Sequence, residues 1–594
     1  MKFLFTLLLG LLCLRSAAQT GISVPEMANC DKSIQQFVSR WNVLGASVAI
    51  TKNGRLVYDR AFGYADVARA VPMQPYHLLR VASISKPVTA LAIMKLVEEG
   101  QLSLAHKVFG PDGYLNGTAY TNEIQDPRLY DITVQHLLEH SAGWDRNIGC
   151  DGYDSGDPVG FPTRVAKVMH AANPVGDSII IRYMLREGLN FVPGTRFVYS
   201  NVGYLVLGKV MEAVTHQPYE TWVRQHVLEP SGVLEAHLGH NLSSARLERE
   251  SDYLSRYRMP SCYDIGQLVP AAYGGFQVEA MNAHGGWLFS ARDLVRLALA
   301  ADGFASPPDL ISAATLRTMT EPSAAATGYA KGWMVGGGNW WHTGLLDGTA
   351  SLVMRTASGY TWAILLNTSN GSAAFWQELQ GLGWNWLSGA TTWPTHDLFA
   401  PVQNASRLQV GGLDATRPRF TWTNGSGTRR LLLLKPDSPS TVFPLDGTAY
   451  SVTSQLSDGT FIAANGPDST AELPHLNPQR AYYARIIEFR QDATTNNLPV
   501  YTLDGNLSMK LTPSVLAWQL SQFARYPNPA QSELWVNGST VSLPRQLTNA
   551  QGARTQQGTL TPGRTSPMRN QASGTYFRRV RQAWRDSVLR LVKL

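Results

Sequence analysis

Apolar positions along this chain fall into two textures that meet near residue 400. From about Val24 to Trp393 the texture is mixed: short strand-like runs alternate with stretches whose apolar residues recur at helical spacing. Ala46 to Ile50 and Leu56 to Phe62 flank the turn Lys52-Asn53-Gly54, which predicts a β-hairpin. Val88 to Glu99 predicts an amphipathic helix with Leu91, Met94 and Val97 on one face and Gly100 past its end. A second apolar helix is predicted over Leu205 to Val214, after a strand-like Arg196 to Val198, and a further strand over Ala350 to Met354. Beyond residue 400 the runs are short and strand-like: Phe420-Thr421-Trp422, Arg430 to Leu434, Thr448 to Val452 and Tyr482 to Phe489. Turn clusters such as Asn424-Gly425-Ser426-Gly427 and Asp446-Gly447 separate them, a spacing that suits a β-sandwich of about 100 residues. A weaker segment follows Thr512, with strand-like Leu534 to Val536 and Val588 to Leu594.

Composition narrows the class. With 594 residues, 10% aromatic and 16% charged, the chain is neither disordered nor, at a prior of about 150 residues per domain, a single domain. No apolar run reaches the roughly 20 residues of a membrane span, and no fixed repeat period is visible. The net charge of +7 is local: 521–594 carries a balance of +9, which leaves −2 for the rest, so the charge gives the main body no nucleic-acid signature. Lys2, the apolar Phe3 to Leu14 and the small residues Ser16-Ala17-Ala18 read as a cleavable signal peptide over 1–18. Leu12 before Cys13 argues against lipidation. The mature chain is expected to be exported, with three sparse cysteines, Cys30, Cys150 and Cys262, too few for a disulfide framework and without metal-ligand spacing.

Candidate chemistry begins at Ser83-Ile84-Ser85-Lys86, an S-x-x-K pattern before a helix. A spacing of three puts Ser83 and Lys86 on one helical face, where a partly desolvated amine can take the proton of the hydroxyl. Tyr199-Ser200-Asn201 is the second element, chosen over Tyr114-Leu115-Asn116 and Tyr120-Thr121-Asn122 because it stands between a turn and an apolar helix. His342-Thr343-Gly344 is the third, at a strand that can offer backbone groups to an extended substrate. His136-Leu137-Leu138-Glu139-His140 also satisfies H-x-x-E-H, an inverted zinc-protease spacing, but no further carboxylate ligand stands in recognisable context, so no metal or cofactor is assigned.

The three elements in this order match the pattern of active-site serine, second polar motif and strand triad. Together with Gly45-Ala46-Ser47-Val48-Ala49, Phe62-Gly63-Tyr64-Ala65-Asp66, Leu137-Leu138-Glu139-His140-Ser141-Ala142-Gly143 and Gly285-Gly286-Trp287-Leu288-Phe289-Ser290, they resemble the β-lactamase-related serine hydrolase family over roughly 25–395. That family includes class C β-lactamases, D-alanyl-D-alanine carboxypeptidases, D-amino-acid peptidases and esterases. The resemblance implies an α/β (α+β) fold of the β-lactamase and penicillin-binding-protein type, an antiparallel sheet flanked by helices plus a helical subdomain. It further implies that Ser83 forms an acyl-enzyme and that Lys86 and Tyr199 share the proton traffic, with the base left open between them. Asn201, His342, Thr343 and Gly344 would bind substrate, and the backbone N–H groups of Ser83 and Leu345 would form the oxyanion hole. His342 stands where dedicated β-lactamases have lysine. An imidazole titrating near pH ~6.5 would make carboxylate binding pH-dependent. A small peptide, ester or β-lactam-like substrate is implied; true β-lactam hydrolysis and a surface binding protein that has lost activity are the alternatives.

Phe420 to Phe489 resembles fibronectin type III-like modules, through Thr423 to Arg430, Asp446 to Tyr450 and Tyr482-Tyr483. Tyr526-Pro527-Asn528-Pro529-Ala530, Ser573 to Phe577 and the terminal Leu591 to Leu594 resemble the C-terminal sorting domain of type IX secretion. The expected organisation is a signal peptide (1–18), a hydrolase domain (24–395), a β-sandwich (400–508) and a small β sorting domain (521–594). The implied partner is the type IX secretion machinery, with the enzyme secreted or attached to the cell surface.

Overall fold

The computed structural model describes residues 19–149, 155–390, 392–411 and 418–511, except 474, 475, 478, 479, 504 and 507. Between 533 and 593 it describes only the backbone of the strands. The signal-peptide reading, Cys150 and the Tyr526 to Ala530 block lie outside the described residues. No helix among the described residues is long and apolar enough to cross a membrane.

Seven strands form the spine of the first unit: β1 (Gln19–Gly21), β2 (Gly45–Lys52), β3 (Arg55–Asp66), β4 (Met334–Gly336), β5 (Asn339–Leu346), β6 (Thr349–Arg355) and β7 (Tyr360–Leu366). Their order is β1-β3-β2-β7-β6-β5-β4, every neighbour antiparallel, with the short Val71–Pro72 added on β3. The predicted hairpin is β2–β3. Asn53 and Gly54 at its tip hold φ of +49° and +78°, the left-handed pair that a two-residue turn needs to follow strand twist.

Both faces of this sheet are buried, which a period of two makes visible. In β7, Trp362, Ile364 and Leu366 face helices α1 (Ala28–Trp41) and α6 (Ala373–Gly389), whereas Ala363 and Leu365 face the larger core. Gly383 of α6 is required here, because a Cβ would lie 2.1 Å from the Trp362 ring. The larger core holds α2 (Ser85–Glu98), α3 (Asn201–Thr215), α4 (Val278–Gly285) and α5 (Ala291–Leu299). Helix α2 is not the amphipathic helix expected. Every residue from Ser85 to Met94 is buried, and Leu96 rather than Val97 completes its inner surface. Neighbours surround α2, so helical periodicity marks no solvent face. Helix α3 starts at Asn201, four residues before the expected apolar run, because Ser200 caps it by accepting from Gly203 N–H. Arg196 to Val198, expected as a strand, forms none; Val198 N–H donates to His140 O at 2.9 Å.

The first compact unit does not end at 395. It runs to Val402 and takes in Leu445–Thr448 and Arg490–Gly505. Val500 joins the core, Arg490 pairs with Asp397 at 3.3 Å, and Tyr501 N–H donates to Asp446. Asp446 pairs with Arg292 at 2.5 Å, and Arg292 pairs with Asp59 of β3 at 2.9 Å. Asp59 and Arg292 are buried, and the Asp446 side chain is 9% exposed. Burial pushes the Asp59 carboxyl up to about 6 even against the Arg292 charge. Thr448 to Val452, expected as a strand, is irregular, and its first residue belongs to this unit.

The second unit, described by itself, contains β8 (Ser406–Gly411), β9 (Arg419–Thr423), β10 (Arg429–Pro436), β11 (Phe461–Gly466), β12 (Thr470–Glu472) and β13 (Tyr482–Arg490). Strands pair as β8-β9-β12 and as β11-β10-β13. Phe420 and Trp422 from the first set share one core with Leu432, Leu434, Ala484 and Ile486 from the second.

Candidate active site

Ser83 is presented by a strained turn. Leu79–Arg80 pairs with Phe289 and Leu288, and the chain then passes through Ala82 at φ +49°, a left-handed conformation that costs an alanine about 1–2 kcal/mol. The single turn Ala82–Ile84 leads into α2. Ser83 stays partly exposed and lines a cleft of about 260 Å³. Ser85, its local competitor, is fully buried and accepts from Trp287 N–H at 3.1 Å.

Lys86 lies beneath Ser83 on the first turn of α2. Its Nζ is 3.2 Å from Ser83 Oγ, 2.8 Å from Asn201 Oδ1 and 2.9 Å from His284 O. Two of these partners, an amide oxygen and a backbone carbonyl, can only accept. A neutral amine has two N–H groups for them, and its lone pair is then left for the Ser83 hydroxyl proton. Burial drives the Lys86 pKa well below the usual lysine value, with Asp157 opposing and Arg146 adding to the fall. The break in α4 at Asn282, φ +40°, stands two residues before His284, whose carbonyl faces this amine.

Asn201 lines the cleft, and each end of its amide also has a protein partner. Oδ1 accepts from Lys86, and Nδ2 donates to Asp157 Oδ2 at 2.7 Å. Those partners fix the amide orientation, since a carboxylate requires a donor. Asp157 is buried, accepts from Val159 N–H and lies 3.4 Å from Arg146. Arg146, Asp157 and His284 line the cleft with Ser83, Asn201, Leu345 and Leu346. Sequence reasoning missed the first three. Asp157-Pro158 carries a visible helix-start signal, but a cap does not announce a partner 44 residues away.

Tyr199 packs under the same amine, Lys86 Nζ lying 4.7 Å from its ring centroid. Its Oη is buried and makes no well-formed hydrogen bond among the described residues. Burial pushes its pKa up, and the nearby Ser83 hydroxyl offsets part of that rise, so the phenol is neutral. The two rejected Y-x-N tyrosines are engaged elsewhere, Tyr114 Oη with Ser103 N–H and Tyr120 Oη with Ser178.

His342 is corrected most. It is 1% exposed on β5 and does not line the cleft, nor do Thr343 and Gly344. Its Nδ1–H donates to Thr343 O at 2.7 Å, so Nε2 accepts from Tyr329 Oη at 3.3 Å. Tyr329 Oη in turn accepts from His140 Nε2–H at 3.1 Å, because His140 Nδ1 already accepts from Ser200 N–H. The His140 ring packs against Tyr199, tilted by 37° with the ring centres 4.3 Å apart. This buried chain joins the strand of His342 to the loop of Tyr199 with every histidine nitrogen satisfied by a neutral ring. Burial, then the Lys86 charge, lowers the His342 pKa to about 3, and burial holds His140 well below its usual value. The expected titration near 6.5 is therefore absent. The pH dependence of the ratio of carboxylate-bearing to neutral ester turnover should be the same in His342→Phe as in the parent. Denaturation should show that variant less stable by about 1–3 kcal/mol, because Tyr329 loses its acceptor. A change in that ratio's pH profile would restore the electrostatic role.

Gly344 brings β5 against the Ser83 turn: a Cβ there would lie 2.1 Å from Val81 O, which also accepts from Ser351 Oγ. The next residue, Leu345, is 44% exposed at the cleft wall. In the H-x-x-E-H segment, His136 Nδ1 accepts from Thr133 N–H, Glu139 pairs with buried Lys331 at 2.8 Å, and His140 faces Tyr329.

Several known proteins are similar to this chain. Protein flp of Staphylococcus aureus (strain COL) is 25% identical over 354 residues, covering 57% of this chain and 63% of that protein. Penicillin-binding protein 4* of Bacillus subtilis (strain 168) is 28% identical over 207 residues, covering 34% and 40%. The chain spans less than two thirds of the length of these curated relatives. Among solved structures, D-amino acid amidase from Ochrobactrum anthropi SV3 gives a TM-score of 0.47 at 20% identity, covering 61% of this chain and 100% of that one. The octameric penicillin-binding protein homologue from Pyrococcus abyssi gives 0.46 at 20% identity, covering 80% and 99%. Residues 30–381, more than half of the sequence and all of the elements that hold Ser83, Lys86 and Tyr199, match the family described as Beta-lactamase, and to that family the chain belongs.

Proposed function

We propose that this protein is an exported serine hydrolase that cleaves amide or ester bonds through an acyl-enzyme on Ser83. The observation that carries the reading is the placement of Lys86 Nζ, with two obligate acceptors and the Ser83 hydroxyl around it. The neutral amine takes the Ser83 proton as Oγ attacks the substrate carbonyl. The oxyanion is stabilised by the backbone N–H groups of Ser83 and Leu345, which the close packing at Gly344 holds on one side of the cleft. Tyr199, a neutral phenol beside both groups, gives its proton to the leaving atom and is reprotonated from Lys86. Water then attacks the acyl-enzyme by the reverse traffic and restores Ser83. In this assignment Lys86 is the base and Tyr199 the acid, because burial moves their pKa values in opposite directions, which favours the neutral form of each. Asn201 and Asp157 position the amine.

Export is supported by the n-region, apolar core and small residues of 1–18. The second unit is read as a fibronectin type III-like spacer or binder and 521–594 as the type IX sorting signal, both on the sequence motifs given above.

The test is covalent trapping. A fluorophosphonate or penicillin probe, followed by digestion and mass spectrometry, should place the adduct on Ser83, and Ser83→Ala should lose it. An adduct on Ser85, or labelling that survives Ser83→Ala, would sink the reading.

A further inference from the structure

We propose that Arg146 is an anion-binding residue of the cleft and that the substrate carries a carboxylate or comparable anionic group; the inference rests on the hydrolase reading above. Among the described residues that line the cleft, Arg146 is the one cation and Asp157 the one acid. Their situations differ. The Asp157 side chain is 7% exposed and already accepts from Asn201 Nδ2 and Val159 N–H, so it offers nothing to a ligand. The Arg146 side chain is 41% exposed, and among the described residues its ion pair is the 3.4 Å approach of one terminal nitrogen to Asp157. A guanidinium has five N–H donors in a rigid plane, so a buried carboxylate at one corner orients the fork and leaves donors for a bidentate anion.

The position suits a substrate contact. Arg146 Cζ lies 5.8 Å from the centre of the Tyr199 ring, and Lys86 Nζ lies 4.7 Å from the same centre. An anion on Arg146 is therefore held close to the reacting groups. Strand β5 supplies no competing cation to the cleft, because His342 is buried and neutral, and Leu345 and Leu346 line the cleft instead. The lining also offers the apolar Val159, Met281 and Leu346 to the rest of the substrate.

The anion can belong to the acyl part or to the leaving group, and two ester pairs separate these sources. 4-Nitrophenyl hydrogen adipate against 4-nitrophenyl hexanoate places the charge on the acyl side. 4-Acetoxybenzoate against its methyl ester places it on the leaving side. The readout is the ratio of kcat/KM for the charged to the neutral member, which a partly inactive preparation does not change. Arg146→Gln should lower that ratio by about tenfold for one pair, with Arg146→Lys keeping part of it. A ratio unchanged in both pairs overturns the inference while the esters still turn over. If the wild type cleaves none of the four esters, this inference fails, while probe labelling of Ser83 decides the hydrolase reading separately.

Discussion

Lys86→Met is expected to lower kcat/KM for a neutral ester by at least about 10⁴-fold, and Ser83→Ala to do the same, because groups that act as a unit are lost as a unit. The double variant should be scarcely worse than either. Lys86 contributes as the neutral amine, and burial sets its pKa well below the ordinary lysine value. Activity should therefore be full above that lowered pKa and fall as pH drops through it. The exchange Asn201→Asp with Asp157→Asn sharpens the test. It keeps the contact between the two positions and brings the carboxylate to within 2.8 Å of the amine, which favours the ammonium and should move the acid limb to higher pH. A profile that ignores this exchange, or a Lys86→Met variant at near full rate, would remove Lys86 as the base.

Arg292→Met should destabilise the first unit by about 3–5 kcal/mol, a large fraction of a typical domain's stability. The arginine stands between Asp59 and Asp446, and its loss removes the paired cation that the buried Asp59 and the largely covered Asp446 share. The sign of the pH response identifies the cause. A carboxyl whose folded pKa is raised binds more protons folded than unfolded, so stability falls as pH rises through the folded value. That value is about 6 for Asp59 with arginine present and should be higher without it. The variant should thus recover stability on mild acidification, as read by its melting temperature between neutral pH and pH 5. A chain ending at 395 or 402 removes Asp446, Val500 and Arg490 together and should fail to give soluble, active enzyme. An unchanged melting temperature in Arg292→Met, or full turnover by the shortened chain, would contradict the role given to these residues.

How much of this was legible follows from what a linear pattern records. The β2–β3 hairpin was readable because alternation and the Asn53-Gly54 turn agree locally. Ser83 and Lys86 were readable because one helical turn brings i and i+3 together. Asp157, Arg146 and the His284 carbonyl were not, since they meet the amine only through tertiary packing and carry no spacing rule. His342 shows a subtler limit. Its chemistry depends on Tyr329 and His140, which no spacing rule connects to it, and burial makes the expected titrating group a neutral link. Thr448 to Val452 has a strand-like composition but forms no strand, and the composition carried no sign of that.

The discontinuity of the first unit also imposes an order of events during synthesis. Every group in the proposed chemistry has been made by residue 345, yet Arg292 has no Asp446 to meet until about a hundred residues later, and Val500 and Tyr501 arrive later still. At roughly 5–20 residues per second, the interval from residue 395 to 505 is about 5–20 s. Through that interval the growing chain holds an active centre without its closing ion pairs. Completion of the enzyme is thereby tied to the emergence of strands β8 to β13 of the second unit, so those strands are made inside the catalytic unit's own folding time.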